Sequence, residues 1–179
     1  MSNPLVQAVI RTKFLMTSRE KASQIIRGIA DAYLKLAERI GNESGERSIS
    51  IPPMIGVDPE MRAWSFFQIL EHNVIVNGMI AHTVEKLARG EDPNPERAIN
   101  HKTDVLPGDS SGTEQIAAFS ESIDSYLSMV TTLPALRGTA KTQHPVFGHF
   151  DAHKWHCMFG FHLGLHLKQA EKVIALLNA

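Results

Sequence analysis

DAHKWHCMFGFHLGLHLKQAEKVIALL, residues 151–177, is the stretch that decides the fold. Asp151 is a good N-cap, and Trp155, Phe159, His162, His166, Gln169 and Val173 follow at steps of three and four. That spacing lays them along one face of a single long helix, and the aromatic residues make it the inward face. Two imidazoles therefore lie on the side that turns away from water. Residues four apart sit within roughly 40° of each other on a helix, so both rings can reach one metal ion. Neutral imidazoles there need hydrogen-bond partners, and charged ones repel. A shared metal ion removes both problems; water at a bundle end is the plainer alternative. Leu163, Gly164 and Leu165 separate the pair, so no glutamate general base sits between them and the metalloprotease pattern is absent.

Three further segments carry helical periodicity. The first opens at Thr17 with Glu20 at capping-box spacing and runs through Ala22, Ile25, Ile26, Ile29, Tyr33, Leu36, Ala37 and Ile40 to a stop at Gly41. Residues 2–16 before it can form a short extra helix. The second opens at Asp58-Pro59 and ends near Arg89, with Gly90 as its stop. It is apolar over much of its circumference, which marks a central helix or one that also meets a partner chain. The third opens near Ser111, with Glu114 at capping-box spacing, and carries Ile116, Phe119, Ile123, Tyr126, Leu127 and Val130. Helices are thus expected over about 18–40, 59–89, 112–132 and 151–177. No stretch shows sustained strand alternation, so the fold class is all-α, a four-helix bundle in one domain, 1–179. The connection Gly90–Ser110 is long enough to cross the bundle, which argues against a simple up-down-up-down order.

The totals exclude several classes. The chain has 179 residues and a formal net charge of −1, which gives no general attraction to nucleic acid or acidic membranes. One cysteine, Cys157, excludes an internal disulfide framework and fits a reducing compartment. No secretory leader pattern and no apolar run of about 18 residues is present. A cytoplasmic protein is the expectation.

Histidine is the unusual component: nine in all, six of them between His144 and His166. Beyond the helical pair, His72 is the best third ligand, because it lies mid-way along the most apolar part of the second segment. Taken alone it reads as a core histidine; with the pair it supplies the third corner. His149, His153 and His156 point off the ligand face and are expected at the surface or at the helix start. His82 lies too far along its helix to share the metal. His101 falls in the long connection, and His144 in HPVFG can line a pocket mouth. Cys157 reads as a buried spectator, and Gly160 and Gly164 as close-packing positions.

Together these pieces resemble the DinB-like superfamily of metal-binding four-helix bundles. Trp64 leads eight residues on to Glu71-His72 in WSFFQILEHNVIVN, and HLGLHLKQ supplies His-x-x-x-His followed by Gln169. The run HPVFGHFDAHKW looks like a branch of that superfamily with no assigned activity, in which a His-Pro-x-Phe-Gly loop precedes a Trp-containing start of the last helix. The resemblance covers roughly residues 18–177. It implies an up-down-down-up bundle with a crossover between helices two and three, a three-histidine metal site at His72, His162 and His166, and a homodimer. Relatives of this kind include thiol-dependent S-transferases and isomerases; no substrate-binding residue can be matched here.

Two functions follow. The first is a metal-dependent enzyme, an S-transferase using a low-molecular-weight thiol or a hydrolase acting on a small molecule. Three histidines leave a metal position open, where the pKa of water or a thiol falls enough to give a nucleophile at neutral pH. Zinc or nickel are the leading metals, although imidazole also suits iron and copper. Glu71, His144 and Gln169 are the nearest candidates for supporting or acid/base roles. The second is a non-catalytic metal-binding bundle that senses, stores or scaffolds, with a closed site. No nucleic-acid or membrane partner is expected.

Overall fold

The computed structural model describes residues 4–93, 103–109 and 111–179. His101 and part of the long connection lie outside them. Among the described residues six α-helices form, α1 (Pro4–Met16), α2 (Arg19–Ile40), α3 (Asn42–Glu46), α4 (Phe66–Ala88), α5 (Glu114–Thr132) and α6 (Ala152–Leu177), with a two-stranded hairpin, β1 (Thr142–His144) and β2 (Gly148–Phe150). Among the described residues the fold is all-α apart from that hairpin.

Four long helices make the bundle. α2 packs on α6 and α5, and α4 packs on α5 and α6. Paired contacts give their relative directions. Ser23 meets His156 and Tyr33 meets Leu163, so α2 and α6 run the same way. His72 meets His162 while Met61, just before α4, meets Gln169, so α4 opposes α6. Tyr33 meets Phe119 and Arg19 meets Leu133, so α5 opposes α2. α4 and α5 are therefore parallel neighbours.

The helix starts correct the sequence reading in three places. α2 is capped by Ser18, which accepts the Lys21 N–H, while the Thr17 hydroxyl turns back to the Lys13 carbonyl. Asp58 opens only a 3-10 turn, Pro59–Ala63, and its side chain caps nothing. Trp64 is then extended, and α4 starts at a true capping box in which Ser65 and Gln68 satisfy each other's backbone N–H. Glu114 accepts from the Gly112 N–H, so α5 begins at Glu114 without a side-chain cap. Asp151 caps α6 as expected, accepting the Lys154 N–H at 2.9 Å.

Residues 4–16 do form an extra helix. Phe14 anchors it, buried against Phe150 and Phe161. α6 is enclosed by α1, α2, α4 and β2 together. That is why His153 and His156, expected at the surface, are buried. His153 Nε2 lies 2.9 Å from the Arg137 guanidinium and 3.1 Å from the Phe14 carbonyl. His156 donates from Nε2 to the Arg19 carbonyl and accepts the Tyr126 hydroxyl at Nδ1, at 2.8 Å. His149 is exposed, and Cys157 is buried with its thiol pushed up to about 11. Gly160 and Gly164 let α2 approach: a Cβ on Gly160 would lie 3.2 Å from Ile26, and one on Gly164 3.4 Å from Ile29. No helix among the described residues is long and apolar enough to cross a membrane.

Candidate metal centre

α4 and α6 bring His72, His162 and His166 to one point, with one ring nitrogen from each lying within 4.8 Å of the others. His72 comes from the most buried stretch of α4; the other two come from successive turns of α6. Nε2 of His72 and Nε2 of His162 are 3.2 Å apart. Trp64 closes one side, its ring 4.9 Å from that of His72. His72 and His166 are buried, and His162 is partly exposed. The rim of the centre is thus formed by the His162 edge.

The outer ring nitrogens decide what the inner ones can do. His72 Nδ1–H donates to the Val105 carbonyl at 2.7 Å, and His166 Nδ1–H donates to Gln169 Oε1 at 2.7 Å. Each bond keeps the proton on Nδ1 and leaves a lone pair on Nε2, aimed into the cluster. Gln169 is itself fixed, because its Nε2 donates to the Met61 carbonyl at 2.7 Å. His162 Nδ1 is buried and has no partner, while its Nε2–H can donate to the bare His72 Nε2 at 3.2 Å.

Electrostatics keep the rings neutral. Burial pushes the His166 imidazole down to about 3, and the adjacent His72 pushes the same way. His162 falls well below the usual range, first through burial and then through His166, His72 and His144. Burial also lowers His72. Three neutral imidazoles meeting at one point, two of them with bare Nε2 lone pairs, are a donor set for a borderline transition metal. One ring nitrogen from each of the three histidines lies within 4.8 Å of the others, so the residues fit a metal ion.

A family model of the DinB superfamily matches residues 15–170, most of the chain. The chain belongs to the DinB superfamily. No curated protein and no solved structure matches it.

Within this DinB-superfamily chain the supporting candidates fall in different places. Gln169 touches a cluster histidine directly. His144 sits in β1, with its ring 5.1 Å from Trp155, and its Nδ1 accepts the backbone N–H of Val146 and Phe147. It is near enough for its charge to act on His162. Glu71 is turned away from the cluster, onto Gly108 and Ser111. His82 donates to the Pro93 carbonyl, far along α4. Sequence reasoning missed the Val105 and Met61 carbonyls. Both are main-chain acceptors, which carry no residue-type signal.

Proposed function

We propose that this protein is a metal-dependent enzyme, acting on a small molecule as a thiol-dependent S-transferase or a hydrolase. The observation that carries the reading is the donor set. Three imidazoles converge, and among the described residues no cysteine or carboxylate joins them. A site with three protein ligands keeps a position open for chemistry, and structural sites do not. When bound, a divalent metal such as zinc or nickel supplies the Lewis acidity that activates a thiol or water at neutral pH. The chain's own part is to hold the rings neutral, fix the tautomers through Val105 and Gln169, and present the site on the His162 side. His144 stands on that side in the hairpin and is the candidate for moving a proton. Homodimer formation belongs to this reading, with exposed Ile25 and Phe161 as apolar surface available for it.

Metal content of the purified chain, set against His162→Ala, tests the centre: equal content in both removes the reading. A thermal-shift screen of low-molecular-weight thiols on the metal-loaded protein then tests the transferase form. A shift with one thiol that His162→Ala lacks supports it; no shift with any thiol at full metal load leaves the hydrolase form alone.

One observation favours the second reading, a non-catalytic metal-binding bundle. The large groove of the molecule, about 940 Å³, is lined by Ile25, Ile29, Gly160, Gly164 and Lys168 and lies off the ligand face of α6. Under that reading the metal raises stability and no thiol or hydrolysable substrate competes for it.

A further inference from the structure

Glu71 is the carboxylate nearest to a cluster histidine in sequence, yet it does not face the cluster. Successive helical residues differ by about 100°, and Glu71 meets the segment that follows the crossover instead. Its Oε2 accepts the Gly108 N–H at 2.9 Å and the Ser111 hydroxyl. Gln68, three residues earlier, donates to the Gly108 carbonyl at 3.0 Å. Both polar groups around one glycine are thereby tied to α4. Three residues before that tie, the same segment presents the Val105 carbonyl that accepts His72 Nδ1–H.

We propose that Glu71 is a positioning residue of the metal centre. It docks Gly108 and Ser111 onto α4, and the Val105 carbonyl held beside them keeps the His72 proton on Nδ1, so that Nε2 stays bare and aimed inward. The inference rests on the reading of His72 as a metal ligand. Two alternatives for Glu71 give way on geometry. As a fourth ligand it would belong to the cluster of ligand atoms, and that cluster holds only the three histidines. As a general base it would have to face the cluster, and its carboxylate is held on Gly108 and Ser111 instead. Charge-assisted bonds of this kind are among the stronger ones, and they also fix direction. Acceptors behind metal-binding histidines typically change affinity by about 10- to 100-fold when they are lost.

The test uses the full chain with Co²⁺ as probe, titrated against a competing chelator. Wild type, Glu71→Gln, Glu71→Ala, Ser111→Ala and His162→Ala are compared, and imidazole ¹⁵N shifts of His72 are read in the metal-free proteins. The expected order of affinity is wild type, then Ser111→Ala and Glu71→Gln, then Glu71→Ala, the last weaker by about 10-fold or more. The Co²⁺ absorption bands should move with it, and His72 should pass from Nδ1–H to a mixture of tautomers. If Glu71→Ala binds Co²⁺ like wild type and His72 keeps its Nδ1–H form, the positioning role is wrong while the metal centre stands. If wild type binds no more Co²⁺ than His162→Ala, the metal reading fails, and with it Glu71 as a residue of a metal centre. Should Glu71→Ala not fold, Glu71→Gln and Ser111→Ala carry the same comparison.

Discussion

Gln169 Oε1 accepts the Nδ1–H of His166 across one turn of α6, at 2.7 Å, while its amide holds the Met61 carbonyl. The glutamine therefore reports to the cluster and to the chain that enters α4. Gln169→Leu removes both bonds and leaves the Met61 carbonyl without its donor. Metal affinity is expected to fall by about 10- to 100-fold, with a stability loss of about 1–3 kcal/mol for the unmade hydrogen bonds. Chelator competition and urea unfolding check the two effects separately; unchanged affinity would contradict the role given to Gln169.

Metal removal should act on the wild type and not on a ligand variant. At a metal concentration about 1,000 times Kd, binding adds roughly 4 kcal/mol, which for a chain of this length raises Tm by roughly 10 °C. Addition of a chelator reverses that shift. His162→Ala should show no metal-dependent rise, whatever its metal-free stability. Equal zinc-induced shifts in both proteins would place the metal elsewhere.

Stability should fall with acid through His156, well away from the cluster. Burial, above all, holds its folded-state pKa at about 4, against 6.5 as its ordinary value. Above pH 6.5 both states are neutral and the group contributes nothing that changes with pH. Between about 6.5 and 4 the unfolded chain takes up a proton that the folded chain refuses, so stability drops as pH falls and levels off below 4. The total is at most about 3 kcal/mol. His156→Gln should flatten that part of the urea-midpoint profile; an unchanged profile would assign the acid sensitivity to other groups.

Gly45→Ala tests how tightly α3 sits on α4. A Cβ there would lie 2.5 Å from the ring of Phe67, which is buried to 1% exposure and has nowhere to move. Overpacking of this kind costs about 1–3 kcal/mol. Thermal melts that match wild type would show that α3 can lift away.

The sequence carries the bundle and the ligand histidines for the same physical reason: helical periodicity converts spacing into a face. Trp155, Phe159, His162 and His166 declare that face, and the Asp151 cap declares where it starts. A wheel diagram fails where a helix has several inward faces. α6 packs against α1, α2, α4 and β2, so His153 and His156 are buried although they lie off the ligand stripe. At the start of α4, the Asp58-Pro59 pair hid the weaker-looking Ser65–Gln68 box, because a 3-10 turn and an α-helix open with the same residues. The hairpin strands are three residues each, too short for alternation to register. Convergence of His72 with a pair some ninety positions later depends on how α4 and α6 pack, which neither local pattern contains.

Tyr33 gives the centre a fixed bite. Its buried hydroxyl donates to the Leu163 carbonyl, beside His162, and accepts from Asn73, beside His72. One phenol therefore spans the two helices that carry the ligands, one residue away from each. That hydroxyl oxygen ties the two ligand helices to each other through bonds of 3.2 and 3.1 Å, independent of any ion. An ion that prefers a wider or narrower cage has to strain that strut. The fold thus works as a calliper, and Tyr33→Phe, which leaves the ring and cuts the bonds, should blur its discrimination among ions of different radius.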